Sequence, residues 1–235
     1  MSELWITLAR RAQLELSADQ VARLSRYIDL LFAANERMNL TRIADRAAAE
    51  VQHVGDSLTL LPLLPREAHH LADVGSGGGV PGIPLAIARP DVSIALIEST
   101  QKKAGFLREA AHDLGLNNVT VHPVRAEDSG AKASALRESF DVVVARAVAT
   151  LDWLAEWCLP LARKGGTMLA MKGPKVLDEL PVARKAIKLL GGGEPVLHRV
   201  ELPGAENHVI VQIPKIARTD RRYPRSATSA KGKPI

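Results

Sequence analysis

Leu71 to Leu85 reads LADVGSGGGVPGIPL, a short apolar run that ends in an acid, Asp73, and passes straight into clustered glycines. Gly75, Gly77, Gly78, Gly79 and Gly82 precede an apolar segment (Ile83, Leu85, Ile87) that can start a helix. Glycine permits positive φ and lets backbone N–H groups come close to a ligand, so a strand, tight turn and helix of this kind cradle a nucleotide-like group. Gly77-x-Gly79-x-x-Gly82 also satisfies the dinucleotide fingerprint, which alone does not separate one cofactor from another.

The surroundings narrow the reading. About twenty residues on, where a second strand of an α/β unit should end, SIALIES places Glu98 after an apolar run, suited to accept bonds from ribose hydroxyls. A third unit, VTVHPVRAED, ends in Glu127 and Asp128, and a fourth, FDVVVARA, reaches Arg146. Doubly wound sheets bind ligands where polar groups gather at successive strand ends. Taken singly, Glu98 and Glu127 also suit helix N-termini, where the dipole favours acids.

At 235 residues and 46% hydrophobic, the chain can bury the core of one α/β domain with additions. One cysteine, Cys158, excludes a disulfide framework and a Cys-based zinc cluster, and the seven histidines lack HExxH spacing, so no metal site is expected. MSELWITLARRAQLEL carries charges among its apolar residues and lacks a signal-peptide core, and no segment approaches a membrane span. The expectation is a soluble cytoplasmic protein. From Lys215 to Ile235 there are seven basic residues and one acid, a local balance of +6, which leaves 24 basic and 25 acidic residues in positions 1–214. Such a tail, poor in apolar side chains, is expected to be disordered alone or ordered by an acidic partner such as polyphosphate, or else simply to solubilise.

Ser17-Ala18-Asp19-Gln20 forms a capping box with Val21, Leu24, Ile28 and Leu31 at helical spacing behind it. The expected division is an N-terminal helical cap over residues 1–66, an α/β core over 67–214 and a basic tail over 215–235. Strands alternate with helices from Leu71 to about Leu169, implying a mostly parallel, doubly wound α/β sheet. Gly115 ends a helix, Gly165-Gly166 leads into a strand at Thr167–Met171, and a basic helix is expected around Val182–Leu190. Pro195–Glu201 and His208–Ile213 then predict a closing antiparallel hairpin.

Seven strands with a glycine loop after the first, acids after the second and third, and a terminal antiparallel hairpin resemble a class I, Rossmann-like S-adenosylmethionine methyltransferase. NLTRI (39–43), HVGDSL (53–58), DVGSGGGVPGIPLA (73–86), ESTQKKAGFL (98–107), RAED (125–128), ARAVA (145–149), MKG (171–173) and RRYPR (221–225) sharpen this. In order and spacing they resemble the small-subunit ribosomal RNA methyltransferase G family, also called glucose-inhibited division protein B. The resemblance implies methyl transfer from S-adenosylmethionine to N7 of a guanine in the 530 loop of 16S ribosomal RNA. It implies a cofactor pocket at Gly75, Val80, Ala126, Glu127 and Arg146; the family often has Phe or Leu where Val80 stands.

Physical reading of the same residues adds detail. Asp73 is expected to hold the methionine amine directly or through water, and the loop N–H groups, Gly77 among them, to approach the amino-acid carboxylate. Glu98 is expected on the ribose, with Ala126 and Glu127 around the adenine. Guanine N7 carries an in-plane lone pair, so attack on a methyl needs no proton removal and positioning supplies most of the catalysis. Amine methylation typically uses an Asn/Asp-Pro-Pro-aromatic segment, where this chain has Ala145-Arg146-Ala147-Val148, and pyrimidine C5 methylation uses a thiolate, whereas Cys158 lies on an apolar helix. A cation beside N7 opposes the reaction, so Arg146 is expected to engage a cofactor oxygen, an RNA oxygen or guanine O6.

Lys172, Arg222 and Arg225 are candidates for phosphate contacts, with Lys102 and Lys103 read more readily as a solvated helix face. Tyr223 is a candidate for stacking on one base, since only 3% of the chain is aromatic. His53, Asp56 and Ser57 either join the site from the cap or cap a helix there. The expected partner is 16S RNA or the small ribosomal subunit, with the chain acting as a monomer. Two rivals share the glycine turn: a non-catalytic RNA-binding or assembly factor with a vestigial pocket, and a nicotinamide-dependent oxidoreductase.

Overall fold

In the computed structural model, which describes residues 2–146 and 148–235, side chains along the inner strands alternate between two apolar layers. This follows from the two-residue period of extended backbone. Strands β1 (His70–Val74), β2 (Ser93–Ile97), β3 (Val119–His122), β4 (Phe140–Arg146), β5 (Ala162–Lys172), β6 (Val196–Arg199) and β7 (Val209–Pro214) form one sheet in the order β3-β2-β1-β4-β5-β7-β6. The first five pair in parallel, and β7 enters antiparallel to β5 and β6, as the alternation of the sequence predicts. Chain order reverses between β1 and β4, which makes the crevice beyond their C-terminal ends the topological switch point.

Helices α1 (Ser2–Arg11), α2 (Ala18–Asn35), α3 (Arg46–Ala49), α4 (Asp56–Leu58), α5 (Gly82–Ala88), α6 (Gln101–Asp113), α7 (Ala126–Ser129), α8 (Leu151–Cys158), α9 (Val176–Leu189) and α10 (Ala227–Ala230) complete the chain. A π-helical segment, Glu50–Gly55, joins α3 to α4. Leu71, Ile94, Leu96, Val142, Val144 and Leu169 meet α1, α2, α5 and α6 on one face, while Val74, Ile97, Val143, Ala145, Met168 and Ala170 meet α8 and α9 on the other. Residues before 67 therefore share one core with the sheet. The Ser17 capping box is present with both reciprocal bonds. Helix α9 starts at Val176 rather than near Val182 and carries Pro181 inside it. The hairpin strands lie within a residue or two of the expected ranges.

The tail departs from expectation. Lys215 is fully buried, its Nζ donating to Leu159 O (2.6 Å), Leu190 O (2.9 Å) and the Thr219 hydroxyl. Burial pulls its ammonium down to about 8. Arg137 in the body donates to Gly130 O, Thr219 O and Tyr223 O, so the tail's carbonyls are satisfied from within. Arg225 grips buried Glu156 on α8 through its backbone N–H (2.8 Å), Nε (2.8 Å) and Nη2 (2.6 Å). The apolar count does not show this order, because two of the seven basic side chains, Lys215 and Arg225, turn inward onto carbonyls and a carboxylate, while Arg218, Arg221, Arg222, Lys231 and Lys233 are exposed. Arg225→Ala, which leaves Glu156 buried without its cation, is expected to destabilise the chain by about 3 kcal/mol or more, read by urea unfolding; a change within error would refute an internal role for the tail.

Candidate active site

The turn after β1 is pinned from three sides. Gly75, Gly77 and Gly79 take positive φ (75°, 54° and 94°), which is why glycine stands there. From β2, Ile97 O accepts from Gly75 N (2.8 Å) and Ser76 N (3.2 Å), and Glu98 Oε2 accepts from Gly77 N (2.9 Å). From α2, the buried Tyr27 hydroxyl donates to Gly78 O at 2.7 Å. From β1, Asp73 Oδ2 accepts from Gly82 N at 3.0 Å, and a Cβ on Gly82 would lie 2.7 Å from that oxygen and against Leu96.

This corrects one expectation. The N–H groups of Gly75, Ser76, Gly77 and Gly79 are engaged within the protein, so these four shape the turn rather than meet a carboxylate. Asp73 is fully buried beneath the turn, with Oδ2 on the Gly82 N–H and Oδ1 without a protein partner. Burial pushes its carboxyl up to about 7, against the lowering effect of the Gly82 N–H.

Above the turn lies a cavity of about 510 Å³, bordered by Gly75, Gly77, Val80, Glu98, Ala126, Glu127 and Arg146, all named from sequence. That volume is in the range of small-molecule sites. Glu98 also accepts from Thr100 N (2.7 Å), which fixes its carboxylate at the rim. Leu31, Leu40 and Thr41 from the N-terminal segments, Lys103 from α6 and Trp157 from α8 complete the wall. Trp153, one helical turn before Trp157, packs against it with centroids 5.3 Å apart, and Trp157 alone of the two borders the cavity. Lys103 reaches the cavity, unlike the solvated reading given to it, whereas Lys102 is exposed and not on the wall.

Arg146 ends β4 at the back of this cavity; Ala147, next in the ARAVA segment, lies outside the described residues. Its Nε faces Asp56 Oδ2 at 3.5 Å, and its Nη1 is buried without a partner. Asp56 is buried too, and its other oxygen meets His208 Nδ1 at 3.0 Å. His53 borders the cavity, bonds the Thr41 hydroxyl through Nε2 (2.9 Å) and leaves Nδ1 unpartnered. Burial, reinforced by Arg146, lowers His53 to about 4, so at neutral pH its ring adds no positive charge. Of the three residues left open from sequence, His53 and Asp56 join the site, while Ser57 donates back to His53 O within its own helix. His208 went unnoticed, since nothing in the hairpin sequence signals that it returns to Asp56.

The four RNA candidates separate. Lys172 Nζ bonds Ala149 O (2.8 Å) and Glu179 (2.7 Å), and Arg225 bonds Glu156, so both cations are engaged inside the protein and not offered to phosphate. Tyr223 is half-buried, packed against the α8–α9 core layer. Arg222 is exposed, bonded to Asp220 (3.1 Å) and lying over the Tyr223 ring at 5.9 Å from its centroid. Among the described residues no group of three or more His, Cys, Asp or Glu could hold a metal ion, and no helix is long and apolar enough to cross a membrane. Cys158 is buried, and burial raises its thiol well above the ordinary range.

The hydrogen bond to Asp56 raises the pKa of His208 against the opposing effect of partial burial. Stabilisation from this pair is therefore complete below the unfolded value near 6.5 and is lost as pH rises through the higher folded value. An NMR titration of His208 should give a midpoint above about 6.5, and Asp56→Asn should lower it; an unmoved midpoint would show that the pair does not carry charge.

A family model described as rRNA small subunit methyltransferase G matches residues 20–209. The chain is similar to the ribosomal RNA small subunit methyltransferase G of Pelotomaculum thermopropionicum, 44% identical over 229 residues covering 97% of this chain and 95% of that one. It is also similar to the protein of that name from Lactobacillus johnsonii, 41% identical over 225 residues and 94% of each chain. Among solved structures, cofactor-bound Rv0187 from MTB aligns with a TM-score of 0.57 at 20% identity, over 82% of this chain and 91% of that one, a likeness of fold alone. With a matched model over most of its length and relatives above 40% identity end to end, the chain belongs to the rRNA small subunit methyltransferase G family.

Proposed function

We propose that this chain transfers the methyl group of S-adenosylmethionine to N7 of a guanine in the 530 loop of 16S ribosomal RNA, acting as a cytoplasmic monomer on that RNA or on the small subunit. The observation that carries the reading is the 510 Å³ cavity over the glycine turn, with acceptors at Glu98 and Glu127 on one side and Arg146 at the other. A cofactor with ribose hydroxyls, an adenine and a charged amino-acid end fits that lining. Glu98 would take the ribose, Ala126 and Glu127 the adenine edge, and Val80, Leu40 and Trp157 the apolar surface. When bound, the cofactor supplies an electrophilic methyl group.

What the protein must add is placement. The N7 lone pair needs no general base, so the neutral His53 is consistent with a site that assembles reactants without moving a proton. Asp56 offsets the charge of Arg146, which matters because the product base is a cation. The buried thiol of Cys158, with its raised pKa, is unsuited to nucleophilic attack on a pyrimidine. N7 is hidden in the deep groove of A-form RNA, so the target base must be unpaired or displaced to reach the site.

Incubation with methyl-labelled S-adenosylmethionine and naked 16S RNA, small subunits or whole ribosomes should label N7 of one guanine. Binding of RNA with no label under any condition would favour the non-catalytic assembly factor, and calorimetric binding of NAD in preference to S-adenosylmethionine would favour the oxidoreductase. Arg146→Lys, which removes the planar fork while keeping the charge, is expected to preserve the fold by circular dichroism and lose most transfer; normal turnover would reject the role of Arg146.

A further inference from the structure

Beside the main cavity lies a second hollow of about 210 Å³, bordered by Asp56, Arg146, Met171, Lys172, Gly173 and His208. It sits at the ends of β4 and β5, where the hairpin residue His208 folds over against α4. Arg146 borders both spaces, so occupants of the two would meet across this one side chain. The hollow is smaller than the range usual for drug-sized ligands, which suits a single base better than a longer stretch of RNA.

We propose that this hollow seats the target guanine by its O6 edge, that Arg146 Nη1 is the donor reading O6, and that Asp56 is the positioning residue that aims the guanidinium. The inference rests on the methyltransferase reading above and adds how that site selects its base. With Nε turned to Asp56 Oδ2 at 3.5 Å, the guanidinium is held by one edge, and Nη1 is a buried donor without a partner. A single bond to O6 leaves the N7 lone pair free for attack, whereas the common bidentate contact would block it. An adenine presents an amine where guanine presents O6, so the same donor would face a donor and reject it. His208 holds the second oxygen of Asp56, which fixes the carboxylate and hence the guanidinium.

The test replaces the target guanine, in whichever RNA or subunit the wild-type chain methylates, with 2-aminopurine, which keeps N7 but lacks O6, and with inosine, which keeps both. Wild-type kcat/KM should fall by about 10- to 100-fold for 2-aminopurine and little for inosine. Asp56→Asn should lower kcat on guanine and bring the guanine to 2-aminopurine ratio towards one, with the dissociation constant for S-adenosylmethionine unchanged by calorimetry. A purely structural role for Asp56 would lower activity on both bases alike. Equal use of guanine and 2-aminopurine by the wild-type chain overturns the proposal whatever the variant does, while failure to methylate guanine at all overturns the methyltransferase reading with it.

Discussion

A buried carboxyl at the end of the first strand sets the geometry on which the rest depends. Asp73 has one oxygen on the Gly82 N–H and no room for a side chain on that glycine, so the turn and the start of α5 are drawn tightly onto β1. Three further contacts, from Ile97 O, Glu98 and Tyr27, hold the turn between β2 and α2. Because those donors are satisfied internally, the turn is a rigid floor. Around it stand the side chains of Glu98, Glu127 and Arg146.

That arrangement explains what could and could not be read from the residues. The period-two and helical patterns, the glycine turn and the polar strand ends identified the sheet, its switch point and seven members of the cavity wall, because each is encoded locally. The bond from Gly82 N to Asp73 was not legible, because an acid two residues before a glycine looks the same whether it faces a ligand or the backbone beneath the turn. His208 was invisible because its partner Asp56 is brought to it only by the closing hairpin. Sequence spacing carries no information on such a meeting.

Charge shows the same limit. The tail's balance of +6 suggested an arm reaching for polyphosphate, yet Lys215 and Arg225 point inward, and Lys172 bonds Glu179 between β5 and α9. A count of basic residues reports charge and says nothing about direction. In the site the same chemistry is used sparingly: Arg146 is offset by Asp56, and His53 is held neutral by burial. A pocket that must tolerate a positively charged product gains from carrying little uncompensated positive charge of its own.

The central claim is that the cofactor lies over the glycine turn with its reactive end towards Arg146. A crystal structure of the chain with S-adenosylmethionine bound tests it most directly. The account requires the ribose within hydrogen-bonding distance of Glu98, the adenine beside Ala126 and Glu127, and the methyl group directed to the hollow between Arg146 and His208. Density for the cofactor anywhere else, or with its methyl turned away from Arg146, would contradict it.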